Sequence, residues 1–290
     1  MRQKIAMLLL VVIVQTPLKV NVDLVNVPFS VTDRSGRFVS GLKQEDFAIE
    51  EDGRKQDISR FNQEDAGSLT LGILIDASGS VARVFPDEKA AAISFLDTTL
   101  KAGDLAMVIS FDRTVTLEQD FTESKRALRE AINGLKIGPG TSIYDAVYLA
   151  CKDQLSKQGG RKAIILISDG QDTTSKVKLT EALLAAHRSD AVIYSISNQI
   201  GGFFSVPGSG GPETLKRFSL ETGGTIFFVG GRSDLTEAFA QIAAELRSQY
   251  TLAYTSSNSA RDGRYRHIRI ITKDPTYTIK ARQGYYAPAS

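Results

Sequence analysis

Asp76, Ser78 and Ser80 occupy alternate positions in Asp76-Ala77-Ser78-Gly79-Ser80, directly behind the apolar run Leu71-Gly72-Ile73-Leu74-Ile75. A carboxylate and two hydroxyls spaced this way on one loop can converge on a single hard cation. Two other stretches offer matching groups. Gly140-Thr141-Ser142 precedes a helical pattern, and Ser168-Asp169-Gly170 follows the apolar stretch from Ala163 to Ile167. Short apolar runs ending in polar residues read as buried parallel strands, and open α/β sheets bind ligands at the carboxyl ends of such strands. Asp76, Ser78, Ser80, Thr141 and Asp169 are therefore the expected metal site.

The donor types set the chemistry. Mg²⁺ takes six oxygens in a tight octahedron and keeps water where protein ligands are missing. Three hydroxyls are weak donors and two carboxylates only balance the charge, so the ion stays electrophilic with one position open. An acidic side chain of a protein partner is the natural occupant. Mg²⁺ is the expected ion, with Mn²⁺ or Ca²⁺ as substitutes. Catalysis at such a site would need a positioned base. The two histidines do not supply one: His187 ends a helical pattern and His267 lies in a C-terminal hairpin. The chain also lacks Gly-x-Ser-x-Gly, Gly-x-x-x-x-Gly-Lys and His-Glu-x-x-His. It reads as a non-enzyme without a small-molecule substrate.

These five residues resemble the metal-ion-dependent adhesion site of von Willebrand factor type A domains, whose pattern is Asp-x-Ser-x-Ser, a distant Thr and a distant Asp. The resemblance runs from about Ser68 to Gln249. It implies capture of a Glu or Asp of another protein through the metal.

Composition narrows the partners. The 290 residues carry 35 basic and 33 acidic side chains, a formal charge of +2, which argues against nucleic acid as the main partner. Arg261, Arg264, Arg266 and Arg269 cluster near the C-terminus but are spaced like the solvent face of a hairpin. The lone Cys151 excludes an internal disulfide and reads as a small buried apolar group. Arg2 and Lys4 precede an apolar stretch from Ile5 to Val14, then Gln15-Thr16-Pro17. That order looks like a secretory signal or retained N-terminal anchor, so the expected location is secreted, periplasmic or cell-envelope. Membrane contact is expected only through an uncleaved N-terminal segment.

Between the flanks, apolar strand patterns alternate with helical ones, which implies an α/β fold: a doubly wound, mostly parallel sheet with one antiparallel edge strand at Val115–Thr116. The patterns before and after it are β, with a hairpin signal at Asp52-Gly53. Neither flank is long enough to build a core alone, so the two are expected to pair into one small β-sandwich. The expected division is 1–19 signal or anchor, 20–67 first sandwich half, 68–249 type A domain, and 250–290 completing the sandwich. Val22-Asp23-Leu24-Val25, Val31-Thr32-Asp33, Asp46-Phe47, Glu51-Asp52-Gly53 and Gly284-Tyr285-Tyr286 also resemble a bacterial family, the von Willebrand factor A-related proteins best represented in Acidobacteria. The Gly/Pro-rich stretch 201–212 carries Phe203 and Phe204, expected as a partner-binding loop beside the metal.

The leading functional expectation is a metal-dependent protein-binding module. Two alternatives stand beside it: an envelope-assembly protein with a vestigial metal site, and a regulatory subunit of an AAA-type ATPase or chelatase. The signal-like N-terminus argues against the last, whose partners are cytoplasmic.

Overall fold

In the computed structural model, which describes residues 24–63, 68–198 and 211–289, the chain opens on strands with one inward side. β1 (Leu24–Thr32) buries Val25, Val27, Phe29 and Val31, and β2 (Phe47–Glu51) buries Phe47, Ile49 and Glu51. β2 turns at Asp52-Gly53 into β3 (Arg54–Gln56), and β4 (Ile58–Gln63) follows. Asp52 and Gly53 take φ of 48° and 76°, the positive values that a two-residue hairpin turn of this hand requires.

Burial then becomes continuous. All eight residues of β5 (Leu69–Asp76) are buried, the pattern of a strand covered on both faces. α1 (Phe85–Thr99), β6 (Leu105–Phe111) and β7 (Val115–Thr122) come next, then α2 (Lys125–Gly134) and α3 (Ile143–Leu149). β8 (Arg161–Ser168), α4 (Leu179–Ser189), β9 (Ala191–Ser197) and α5 (Gly211–Thr222) repeat the alternation. β10 (Ile226–Phe228) and α6 (Arg232–Ser248) complete it. The six strands form one sheet in the order β10-β9-β8-β5-β6-β7, parallel except for β7. One face packs Phe95 of α1, Ile132 of α2 and Phe239 of α6 against Leu71, Ile73 and Ile75. The other packs Val147 of α3, Ala186 of α4 and Phe218 of α5 against Leu74, Leu166 and Ile193. The expected α/β architecture, doubly wound and mostly parallel, is present.

After α6 the chain returns to β structure: β11 (Tyr250–Thr255), β12 (Tyr265–Thr272), β13 (Thr278–Ala281) and β14 (Gly284–Tyr286). Two four-stranded sheets result, β13-β1-β11-β4 and β14-β12-β2-β3, each combining strands from both ends of the chain. Between them lies a separate core in which Phe29, Phe47, Phe61 and Tyr250 make a ring cluster with centroids 5.0–6.4 Å apart.

Several local expectations change. The edge strand β7 extends to Thr122. Its mostly polar, partly exposed side chains gave no apolar run to mark that length. The helical pattern from Ser142 to Leu155 stays regular only to Leu149, then widens into a π-turn over Ala150–Gln154 that buries Cys151. Burial pushes the Cys151 thiol up to about 12. Arg266 is not on a solvent face; it turns inward to Glu51 because β12 directs Arg266 and Ile268 to one side and His267 and Arg269 to the other. His187, in the last turn of α4, is buried beside Tyr265 and Tyr286. Among the described residues no helix is long and apolar enough to cross a membrane. The expected signal at 1–19 lies outside the described residues, as do Phe203 and Phe204.

Candidate metal centre

The chain runs from β5 to β6 on one side, while β8 lies on the other, so the strand order reverses between β5 and β8. A doubly wound sheet opens a crevice at such a point, outside its carboxyl edge. Asp76 is the last residue of β5 and Asp169 the first beyond β8. The two carboxylates therefore flank the crevice by topology alone.

Hydrogen bonds draw three loops together there. Asp76 Oδ2 accepts from the Ser168 hydroxyl at 2.6 Å, and its Oδ1 accepts from the Ser78 amide at 2.9 Å. Ser78 Oγ and Ser80 Oγ lie 2.9 Å apart. The loop before α3 is tied to the β5 loop where the Gly138 amide donates to the Ala77 carbonyl at 2.8 Å. It is tied to the β8 loop at Thr141, whose amide donates to Thr173 Oγ1 and whose carbonyl accepts from the Thr173 and Thr174 amides. Further along, Asp145 accepts from the Lys176 and Val177 amides, pinning that loop across the start of α3. Asp169 Oδ1 accepts from the Gln171 amide at 3.0 Å, and the Gly170 amide donates to Ser168 Oγ. Asp76, Ser78, Thr141 and Asp169 are buried, whereas Ser80 is exposed at the mouth.

The electrostatics are those of a site short of positive charge. Burial pushes the Asp76 carboxyl up to about 6; bonds from Ser168 and Ser78 oppose this, and the Asp169 charge adds to it. Among the described residues no Lys, Arg or His pairs with Asp76 or Asp169. No three Asp, Glu, His or Cys side chains among them gather at one point either, so hydroxyls would have to complete a ligand set. Two carboxylates and three hydroxyls fit a hard cation that keeps water. They do not make the nitrogen and sulfur shell characteristic of structural zinc.

Sequence reading missed Glu88 and Asn198. Glu88 sits in the first turn of α1 and is only 2% exposed. Its Oε1 accepts from Asn198 Nδ2 at 2.8 Å, just beyond the end of β9. Burial pushes the Glu88 carboxyl up to about 7, against the Asn198 bond and with help from the Asp76 and Asp169 charges. An acid in a first helical turn reads from sequence as a complement to the helix dipole, so nothing marked it.

Both shifts lie above the ordinary carboxyl values of 3.8 and 4.5. The folded chain holds protons that the unfolded chain releases, so the stabilisation is complete below about pH 4. It is lost as the pH rises through the folded values of about 6 and 7. Metal-free protein is expected to melt lower at pH 8 than at pH 5, with a smaller difference in Asp76→Asn. A melting temperature that rises over this interval in calorimetry would contradict the assignment.

The model of the von Willebrand factor type A domain matches residues 71–171. No curated protein matches the chain. Among solved structures, a von Willebrand factor type A protein from Catenulispora acidiphila is 16% identical, with 84% of this chain and 74% of that chain covered and a TM-score of 0.54. The vWF domain of the type V pili tip protein Mfa5 from Porphyromonas gingivalis is 14% identical, covering 61% and 94%, with a TM-score of 0.51. Proximal thread matrix protein 1 from the mussel byssus, solved with a zinc-occupied MIDAS motif, is 18% identical, covering 68% and 50%, with a TM-score of 0.54. At these identities the likeness is one of fold. Residues 71–171 are thus similar to a von Willebrand factor type A domain, and the surrounding sheet and helices share its fold.

Proposed function

We propose that this protein is an envelope or secreted protein-binding module that holds a divalent cation at Asp76, Ser78, Ser80, Thr141 and Asp169. Through the cation it captures an Asp or Glu of a protein partner. The observation that carries this reading is a pair of buried carboxylates at the strand-order reversal, lined by hydroxyls and lacking a counter-charge among the described residues. Asp76 and Asp169 would balance the ion's charge, while Ser78, Ser80 and Thr141 would bind without neutralising it further. The ion then retains affinity for an incoming carboxylate. A related fold solved with a zinc-occupied MIDAS motif supports a divalent ion, and a pilus-tip relative supports an envelope setting. Mg²⁺ is the proposed ion, and Phe203 and Phe204 are the proposed flanking contacts.

We also propose that 68–249 is a type A unit set between 20–67 and 250–290, the two halves of the sandwich, behind an N-terminal signal or anchor at 1–19. Pairing of β1 with β11 and of β2 with β12 supports the joining of the two halves.

Titration calorimetry with Mg²⁺ and Mn²⁺ tests the metal reading. Saturable binding is expected in the wild type and loss of it in Asp76→Ala and Asp169→Ala. A chelator-reversible pull-down would then identify the acidic partner. Wild-type protein that binds neither ion, or variants that bind as well as it does, would refute the metal assignment.

A further inference from the structure

A third buried carboxylate, which the five-residue ligand set does not use, lies at the carboxyl edge of the sheet beside the end of β9. Glu88 reaches the carboxyl edge from α1, on the opposite face of the sheet from α3 and α4. One oxygen is spoken for by Asn198, whereas Oε2 is buried with no hydrogen-bond partner. An unpaired carboxylate oxygen removed from water costs several kcal/mol unless something compensates it. Arg232, which borders the same cavity as Glu88, is exposed and faces Asp87 at 3.9 Å instead. Glu88, Asn198, Val229, Gly230 and Leu235 also border a cavity of about 40 Å³, room for about one water molecule. Asp76 and Asp169 both act on Glu88 electrostatically, so the three acids share one field. They do not close on a common point, which excludes Glu88 as a direct ligand of the same ion.

We propose that Glu88 is a positioning residue of the metal site. From outside the ligand set, it supplies a third negative charge and a hydrogen-bond acceptor for the ion's hydration shell on the β9–β10 side, with Asn198 fixing its orientation. The inference rests on the metal reading above. Its consequence is a trade: at pH 8 the isolated protein bears an uncompensated buried charge, and the loaded protein draws affinity from it. Outer-shell partners of this kind are typically worth about 10–100-fold in metal affinity.

The test is Mg²⁺ and Mn²⁺ calorimetry at pH 8 on wild type, Glu88→Gln and Glu88→Asp, with melting curves with and without metal. Glu88→Gln keeps the acceptor for Asn198 but removes the charge. It is expected to bind about 10–100-fold more weakly and, without metal, to melt higher than wild type. Glu88→Asp keeps the charge on a shorter arm and is expected to bind with intermediate affinity. A residue that merely held Asn198 would give the reverse order, with glutamine replacing it well and aspartate poorly in both assays. Binding by Glu88→Gln equal to wild type would overturn the role of Glu88 and leave the five-residue site standing. Wild-type protein that binds no metal would overturn both.

Discussion

Glu51→Ala is expected to destabilise the protein by about 3–5 kcal/mol, the range for removing one partner of a buried ion pair. Glu51 is 2% exposed at the end of β2. Its Oε2 accepts from the Tyr254 and Tyr285 hydroxyls at 2.8 and 2.9 Å, and its Oε1 from Ser256 at 2.5 Å. Arg266 Nη1 stands 3.5 Å from the same carboxylate. Every one of these donors comes from the C-terminal part of the chain, whereas Glu51 comes from the N-terminal part. Alanine would leave a buried guanidinium with only neutral acceptors and the Tyr254, Tyr285 and Ser256 hydroxyls without the Glu51 acceptor. Burial, the largest cause raising both tyrosine hydroxyls, persists in the variant, so neither takes over the lost charge. Pairing Glu51→Leu with Arg266→Met should recover much of the loss, because an apolar pair avoids the desolvation that the ions bear. Urea unfolding measures the cost, and a loss under about 1 kcal/mol would place the pair among surface-like bridges. Hydrogen exchange on the same variant should show β1, β2, β11 and β12 losing protection together. Independent loss at the two ends would refute the two-half sandwich.

Gly170→Ala is expected to cost roughly 2–5 kcal/mol and to weaken metal binding at the same time. Gly170 has φ of +81°, a left-handed conformation that a side chain strains. A Cβ there would also lie 2.1 Å from the Gly211 carbonyl oxygen and 2.8 Å from Leu215 Cγ. The first of these is backbone at the start of α5, so relief requires moving a helix or the Asp169 loop. Gly41→Ala separates the two causes, since Gly41 has the same φ of +81° with nothing within 4 Å of an added Cβ. That variant should lose only about 1 kcal/mol. Equal losses in thermal melts would mean that the contact with α5 contributes nothing.

What the sequence made legible follows from where information is local. The five candidate ligands stand out because each loop directly follows an apolar strand or precedes a helical pattern, and spacing within Asp76–Ser80 is readable without knowing the fold. The reversal of strand order that brings Asp76 and Asp169 side by side is a property of topology, to which β5 and β8 contribute from distant positions. Glu88 was hidden because its partner Asn198 is remote and its own helix gives it an ordinary reading. Arg266 was hidden for the opposite reason. It belongs to a cluster of four arginines, and its buried partner, the carboxylate of Glu51, lies far away in sequence.

The chain leaves the sandwich at Gln63 and comes back at Tyr250, and those two residues are direct partners across β4 and β11. The α/β core is thus suspended from two adjacent stems. A pull on the α/β core would load both stems at the same end and in the same direction, along the strands, so the rungs that tie β11 to β1 would bear it together in shear. Strands loaded along their length yield at higher force than a ladder opened one rung at a time. The ring cluster of Phe29, Phe47, Phe61 and Tyr250 sits at the end where that load enters. In mechanical terms it braces the point at which the stems join the sandwich.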